Sequence, residues 1–315
     1  MHLRELLQHH HYRPKSSVPE WMLGYFKRRS ISFANGETDI RTHVCWLQSR
    51  NFTIDLRLPV AAEQLAEKAW QDYSAAELRA LGNYEGWVAD SVWDGETLSW
   101  QNEMALQFHG RWQEPAYLKR VGNCMMEFCP SNAYVEDWRL QPSQPGPLVG
   151  LRLLDEKNLN TGEQHSRGGG LIICGDYAAL VLARPEPMHA GHENALREKA
   201  EQAVGDAAAL AQLFNFETSV ASGSLAQGYT VELSTRPGRK GEALLPLDGF
   251  SLADNGRELT QRLSQQDGNT VERRFAIDTF EASCAYPQST STTTQAALWF
   301  ERERETLCRY TQAHY

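Results

Sequence analysis

The sequence predicts a mainly β protein that contains an antiparallel β-barrel, and three observations carry this prediction. Apolar and polar residues alternate along Thr38 to Gln48 and again along Phe52 to Leu58, with a short Ser49-Arg50-Asn51 link between them. Such alternation is typical of half-buried antiparallel strands joined in a hairpin. Roughly eight to nine segments of this kind fall between residues 31 and 183, which is the strand count of an up-and-down barrel. Finally, the chain has nine tryptophans, several at alternating strand positions that suit a barrel core or the walls of a cavity.

Composition places the chain among ordinary globular proteins. Its 41% hydrophobic and 23% charged residues are typical of this class, and 315 residues suffice for one large or two ordinary domains. The net charge of −9 disfavours nonspecific binding to nucleic-acid phosphates. No apolar run approaches the roughly 20 residues that cross a bilayer, and the N-terminus is too polar for a signal peptide. We therefore expect a cytoplasmic protein with no nucleic-acid and no membrane partner.

The first half of the chain divides into a leader and a barrel. Residues 1–27 are predicted to be a loose leader, and residues 28–185 hold the barrel strands. After the first hairpin, Pro59 ends a strand, and Val60 to Tyr73 has the composition of a helix. Ser74 followed three residues later by Glu77 predicts a capping box and a further short helix.

The second half is predicted to repeat the β architecture on a smaller scale. Residues 186–215 form a connecting helix, clearest over Glu193 to Phe214, where only Gly205 interrupts a run rich in Ala, Glu, Leu and Gln. Residues 216–290 contain strand patterns that either close into a second barrel or cap the first. Residues 291–315 predict a charged C-terminal helix, which is a candidate contact for a partner protein or for a homodimer.

The cysteines give no sign of a disulfide framework or a metal site. The six cysteines have no CxxC spacing and no neighbouring histidine cluster. In a chain of this size without an export signal, reduced and buried thiols are the expected state. We accordingly expect no metal and no cofactor. In particular, Cys174 lies on an apolar strand and is predicted to be a core thiol.

Several short segments together resemble a known group of proteins. They are Trp46-Leu-Gln48, Asp55-Leu-Arg-Leu-Pro59, Gly86-Trp87, Met126-Glu127, Tyr134-Val-Glu-Asp-Trp138 and the Gly170 to Asp176 strand. In this order they resemble uncharacterised bacterial and fungal lipocalin-like proteins of the calycin type. They are similar, more distantly, to the yeast HRI-type proteins, which pair two lipocalin-like barrels. The resemblance covers residues 28 to 183, and only its general layout extends further.

The resemblance implies a lipocalin-like antiparallel barrel, and two of them if the second half follows the same plan. It implies no reaction, because that group has none to carry over. The chain also departs from true lipocalins, whose Gly-x-Trp lies near the first strand. Here the nearest equivalent is Gly86-Trp87, well inside the chain, so an extracellular transport role is not expected.

The strand around Glu136 raises the question of which face points into the barrel. Tyr134, Glu136 and Trp138 share one face, whereas Asp137 and Arg139 lie on the other. On one interpretation, Asp137–Arg139 and the similar pair Asp55–Arg57 are exposed ion pairs outside the barrel, because the apolar faces of these strands look like the inward ones. On the other, polar residues form one end of an aromatic cavity. A carboxylate in such a cavity must be paired, hydrogen-bonded or protonated.

Three functional hypotheses follow. The first is a protein that binds a small apolar or aromatic molecule in the N-terminal barrel. Its predicted ligand-binding residues are Trp46, Gln48, Arg57, Trp100, Glu127, Tyr134, Glu136 and Trp138. The second is an enzyme that isomerises, eliminates or hydrolyses in the same cavity, with His43, Glu136 or His109 as acid or base. The third is a protein-interaction module that uses the terminal helix.

Overall fold

The computed structural model describes residues 1–108, 115–188, 192, 194–264, 268–287 and 294–310. Within them the chain is mainly β, as predicted. The α-helices are α1 (Leu3–His9), α2 (Ala75–Leu81), α3 (Ala195–Gln202), α4 (Ala207–Leu213) and α5 (Thr294–Tyr310). Short 3-10 turns cover Glu20–Met22, Ala61–Glu63 and Trp70–Asp72.

The eighteen strands of the described residues fall into two antiparallel sheets. The first sheet contains β1 (Gly24–Phe33), β2 (Thr38–Asp39), β3 (His43–Gln48), β4 (Phe52–Leu58), β5 (Glu85–Trp93), β6 (Thr97–Ala105), β7 (Ala116–Val121), β8 (Cys124–Phe128) and β9 (Tyr134–Leu140). The second contains β10 (Gly146–Asn158), β11 (Gln164–Ser166), β12 (Gly169–Cys174), β13 (Tyr177–Leu182), β14 (Glu217–Ser224), β15 (Gly228–Ser234), β16 (Phe250–Leu252), β17 (Glu258–Ser264) and β18 (Thr270–Cys284).

The first sheet closes into an eight-stranded barrel. Strands β3 to β9 follow one another in order, and β1 pairs with both β3 and β9. The short strand β2 extends β1 outside this ring. Closure gives every barrel strand a neighbour on both sides, which satisfies the backbone hydrogen bonds that an open sheet would expose at its edges. The predicted barrel is thus confirmed, and its first hairpin has the predicted turn at residues 49–51.

The second sheet runs in the order β15-β14-β13-β12-β10-β18-β17-β16, with β11 beside β10. Within the described residues no pairing joins β15 to β16, so a second closed barrel is not observed. The strands from Gly146 to Leu182, grouped with the barrel at residues 28–185 on sequence grounds, pair in this sheet instead. The reason is that β18, far along the chain, pairs with β10, a long-range partner that local patterns do not reveal.

The outer face of the barrel packs against the second sheet. Phe52, Ile54 and Leu56 of β4 are fully buried in one apolar core together with Ile172 and Val181 of the second sheet. The alternate residues of β4 therefore face the barrel interior. The apolar face that looked like the inward one is turned outward, because a second sheet covers it.

Two glycines allow the barrel to approach the second sheet closely. The ring of Phe52 packs directly against the backbone of Gly150 and Gly170. A Cβ atom added at either glycine would lie only 3.0 Å from a ring carbon. The guanidinium group of Arg152 lies over the same ring, with its central carbon 4.5 Å from the ring centroid. A larger residue at either glycine would push the two sheets apart.

A buried ion pair joins the barrel hairpin to the second sheet. Arg50, at the hairpin turn, is 1% exposed and donates to Glu281 of β18 through Nε and through Nη2, the latter at 3.0 Å. A turn of this length is normally at the surface. Here it is inserted between the sheets, and the charge is compensated by a specific partner.

The N-terminal segment is folded, unlike the predicted leader of residues 1–27. Helix α1 begins with a capping box between His2 and Glu5, and Leu3, Leu6 and Leu7 are buried in the core of the second sheet. This core draws residues from both ends of the sheet, including Tyr229 and Phe250. Helix α1 therefore covers the second sheet, although it is the first element of the chain.

The other helix predictions are met in part. The capping box of Ser74 and Glu77 opens α2 as predicted. Residues 60–73 form two 3-10 turns rather than a continuous helix. The predicted connecting helix is divided into α3 and α4 around Gly205, which has a φ of +84° that favours glycine.

None of the helices in the described residues is both long and apolar enough to cross a membrane. The cysteines whose side chains the structure describes, at positions 45, 124, 129, 174 and 284, are free thiols. Cys174 is a buried core thiol, as predicted, and burial raises its pKa well above the usual value.

Candidate functional site

The barrel encloses a cavity of about 380 Å³. Aromatic and carboxyl side chains dominate its walls. The lining residues are Ile31, Trp46, Asp55, Arg57, Trp87, Ser99, Trp100, Asn102, Glu103, Glu127, Tyr134, Glu136 and Trp138. Asn102 and Glu103 are exposed, so the cavity opens beside them on β6.

Strand alternation places these side chains. On β9, Tyr134, Glu136 and Trp138 line the cavity, and the intervening Asp137 lies on the outer face, where Arg139 donates two 2.8 Å hydrogen bonds to it. Asp137–Arg139 therefore lies on the outer face as that interpretation predicted, but it is not an exposed pair, because Asp137 is buried. The interpretation fails for Asp55–Arg57, which lies inside.

A bulge in β1 adds a charged group at one end of the cavity. The register of β1 against β9 shifts between Arg28 and Ser30. Because one extra residue reverses the alternation, Ile31 lines the cavity while Arg28 reaches Glu136 from the same strand.

Four tryptophans form the aromatic walls. The ring centroids of Trp46 and Trp138 are 5.3 Å apart, and those of Trp46 and Trp100 are 6.2 Å apart. Trp87 continues the row at 6.2 Å from Trp100. All three contacts are near-perpendicular, an arrangement favoured by the ring quadrupoles. The rings thus brace each other and leave indole surface facing the space between them.

Glu127 is the most perturbed acid of the cavity. Its Oε1 accepts from the Tyr134 hydroxyl at 2.9 Å, and its Oε2 accepts from Trp138 Nε1 at 3.0 Å. Burial, with the nearby charge of Glu136 as a second cause, raises the pKa of Glu127 to about 8. Glu127 therefore keeps its proton at neutral pH. Among the described residues, none supplies it with an ion-pair partner.

Two other carboxyl groups of the cavity, those of Asp55 and Glu136, have arginine partners, and each arginine is shared. Arg28 donates to Glu136 and to Asp39, both at 2.8 Å. Arg57 donates to Asp55 at 2.9 Å. Its Nε also lies 3.9 Å from Glu85. Burial opposes the charge of Arg57, but these carboxylates outweigh it and raise the pKa of Arg57 further above its usual range, so it stays charged.

Seven of the eight predicted ligand-binding residues lie together around the cavity: Trp46, Arg57, Trp100, Glu127, Tyr134, Glu136 and Trp138. The eighth, Gln48, is fully buried but does not line it. Gln48 Oε1 accepts from Trp46 Nε1 at 3.1 Å and from the Ser91 hydroxyl at 3.0 Å. Its role is to hold Trp46 in position.

Of the two histidine candidates, the described residues include His43, which does not reach this site. His43 is exposed at the start of β3 and lines a separate surface groove with Lys27 and Lys240. Partial burial and these two lysines lower its pKa. His109 lies outside the described residues. Of the three catalytic candidates, the described part of the structure places only Glu136 in the cavity.

Sequence reasoning did not select Asp55, Trp87 and Arg28 as site residues. The first could have been found, because a residue two positions before an inward-facing Arg57 shares its face. Arg28 could not, since its contact with Glu136 depends on the pairing of β1 with β9, which local patterns do not reveal.

Among the described residues, no group of three or more His, Cys, Asp or Glu side chains is arranged to hold a metal ion. Comparison with protein-family models, with curated protein sequences and with solved structures found no match to this chain. The protein is therefore described by its fold and its cavity. It is a closed antiparallel barrel that encloses an aromatic, carboxyl-rich pocket and packs against a second sheet.

Proposed function

We propose that this protein binds a small molecule with an aromatic or apolar body inside its barrel. The observation that carries the proposal is the enclosed cavity of about 380 Å³ with four indole walls. Its volume lies within the roughly 300–1,000 Å³ that is usual for ligand sites, and its mixture of aromatic surface with a few convergent polar groups is typical of them.

The proposal includes a lipocalin-like role in the cytoplasm. The up-and-down strand order, with β1 closing on β9, supports the comparison with lipocalin-like barrels at the level of fold. Fold alone does not fix function, so the cavity residues carry the argument for binding.

A fluorescence titration tests the proposal. The neutral apolar dye N-phenyl-1-naphthylamine should bind with one saturable site and quench tryptophan emission. Trp100→Leu, which removes a cavity wall, should weaken binding roughly 5- to 20-fold. Trp93→Leu is the matched control, because Trp93 is also half-buried but packs against Trp21 away from the cavity.

Binding of the dye to the control protein should match the parent within about twofold, since a residue outside the pocket contributes little to affinity. Equal weakening by both substitutions would show that the dye does not bind in the cavity.

Catalysis is the second candidate, and Glu127 is the observation that favours it. A carboxyl group with a pKa of about 8, opposite a second carboxyl in an enclosed site, is suited to general acid or base work. If the cavity catalyses an isomerisation, elimination or hydrolysis, the rate should depend on a group that titrates near pH 8. Glu127→Gln should remove that dependence.

A further inference from the structure

The cavity carries more acid than base in its walls. Four carboxyl groups line it, from Asp55, Glu103, Glu127 and Glu136, whereas Arg57 is the one guanidinium among the described lining residues. Arg28 reaches Glu136 but divides its charge with Asp39. Glu127 is protonated and can become negative when a cation arrives, whereas the lining guanidinium is already paired with Asp55. The walls therefore favour a positively charged guest over a negative one.

Glu127 and Glu136 are directly opposite each other on β8 and β9. Like charges at facing positions of an antiparallel pair destabilise a sheet. Glu136 is compensated by Arg28, whereas the hydrogen-bond donors to Glu127 among the described residues are the neutral Tyr134 and Trp138, with the charge of Arg57 acting only at longer range. A cation bound beside Glu127 would supply the charge that these donors do not provide.

The aromatic walls suit the same kind of guest. Tryptophan offers the most favourable ring face for an organic cation, and cages of such rings recognise ammonium groups. Trp138 both lines the cavity and donates to Glu127, so indole surface and the carboxyl group lie side by side.

Arg57 is the one described lining group that would attract an anion instead. It is already hydrogen-bonded to Asp55, and Glu85 lies 3.9 Å from its Nε. An anion bound beside it would also approach Asp55 and Glu136, whose charges raise the pKa of Arg57. Its positive charge is therefore compensated before any guest enters.

Resting on the proposed binding function, we propose that the ligand is an organic cation: a protonated amine on an aromatic or apolar body. The ammonium group lies against the Glu127 and Glu136 carboxyl groups, and the body lies between Trp46, Trp100 and Trp138. Glu127 loses its proton when the ammonium group arrives, so one proton leaves for each cation bound, and the charge of the site is conserved.

A series of three probes with the same ring tests this assignment on the full chain. 1-Naphthylmethylamine is cationic at pH 7, 1-naphthylmethanol is neutral and 1-naphthoate is anionic. Isothermal titration should rank them in that order, with the amine bound at least about tenfold more tightly than the alcohol. This ranking needs no variant, so it does not depend on how a substitution affects folding.

Proton release supplies a second readout. At pH 7, titration of the amine in phosphate and in Tris should reveal close to one proton released per molecule bound. Glu127→Gln should abolish this release and remove most of the preference for the amine, while leaving the affinity for the alcohol within about threefold. Glu96→Gln, on an exposed turn, is the control that should change neither quantity.

The outcomes separate the two proposals. If the alcohol binds as tightly as the amine, or the naphthoate most tightly, the cation assignment is overturned and the binding function stands. If none of the three probes nor N-phenyl-1-naphthylamine binds, both proposals fail. If the Glu127→Gln variant released as many protons as the parent protein, Glu127 would not be the group that loses its proton, and its proposed role would be wrong.

Discussion

At the scale of single residues, burial of the Glu127 carboxyl group lowers the stability of the fold, and the same group is proposed to contact the ligand. Its carboxyl group is buried against Tyr134 and Trp138 and faces Glu136 across the strand pair. A side chain that keeps its proton to about pH 8 is poorly accommodated in its charged form. Groups of this kind concentrate at functional sites, where stability is sacrificed for chemistry.

The pKa of Glu127 predicts a pH dependence of stability. The folded protein holds the proton up to about pH 8, whereas an unperturbed glutamate releases it near 4.5. Because the folded state binds more protons in this interval, the free energy of unfolding should fall as pH rises from about 5 to about 8. Glu127→Gln removes this effect. Between pH 5 and pH 9 the stability of this variant relative to the parent protein should therefore increase by about 4 kcal/mol.

Urea unfolding at pH 5, 7 and 9 measures this difference. Comparing pH values within each protein cancels the constant cost of replacing one acceptor of Tyr134 and Trp138. Glu96→Gln should follow the parent at every pH. Parallel profiles for the parent and Glu127→Gln would mean that Glu127 ionises normally in the folded state.

At the scale of elements, α1 illustrates how a short helix acquires its stability. Seven residues are too few for a helix to persist alone in water. The capping box of His2 and Glu5 satisfies its first turn, and burial of Leu3, Leu6 and Leu7 in the core of the second sheet supplies the remainder. The helix is therefore a part of the second sheet's core rather than an appendage.

Truncation of one of these leucines tests the point. Leu6→Ala should lower the free energy of unfolding by about 2–5 kcal/mol, because it leaves a cavity in a packed core. Arg4→Ala, on the exposed side of the same helix, should change it by less than about 0.5 kcal/mol. Chemical denaturation followed by circular dichroism measures both. Equal, small effects would indicate that α1 contributes little to the fold.

Elements were easier to predict from sequence than their surroundings. The hairpin at residues 43–58 and the capping box at Ser74 follow from local patterns, and the structure confirms them. The inward face of β4 does not follow, because both of its faces are buried: one lines the cavity, and the other lies under the second sheet. Alternation then separates the two faces without saying which is inside.

Residue type and spacing nonetheless led to seven residues that the structure places around the cavity. Tryptophans and acids at alternating positions of β8 and β9 converge because neighbouring antiparallel strands bring their inward residues to the same level. Gln48 does not line the cavity, because its buried amide accepts a hydrogen bond from the Trp46 indole instead. The partner of β10 was beyond reach, since β18 lies more than a hundred residues further along the chain.

At the scale of the whole molecule, the barrel and the second sheet share one core and one buried ion pair. The core that contains Phe52 of the barrel also contains Ile172 of the second sheet. Arg50 and Glu281 connect the same two units within that contact. The two sheets should consequently unfold together rather than one after the other.

A double-mutant cycle tests the ion pair. Arg50→Met alone should cost about 3–5 kcal/mol, because it leaves Glu281 buried without its main partner. Replacing both residues by Met should recover most of this loss, giving a coupling energy of at least about 1 kcal/mol. Unfolding followed by tryptophan fluorescence and by circular dichroism should show coincident transitions in every variant. Additive losses, or separate transitions, would contradict a shared core.

The position of β18 has a consequence for synthesis on the ribosome. The barrel is complete at Leu140, but β18, a central strand of the second sheet, ends at Cys284. At about 5–20 residues per second, translation needs on the order of ten seconds to cover the interval. During that time Phe52, Ile54 and Leu56 have no complete sheet to cover them. The nascent chain therefore passes through a stage in which all barrel strands have been synthesised while the apolar residues on the outer side of β4 are uncovered, and a chaperone could bind them there.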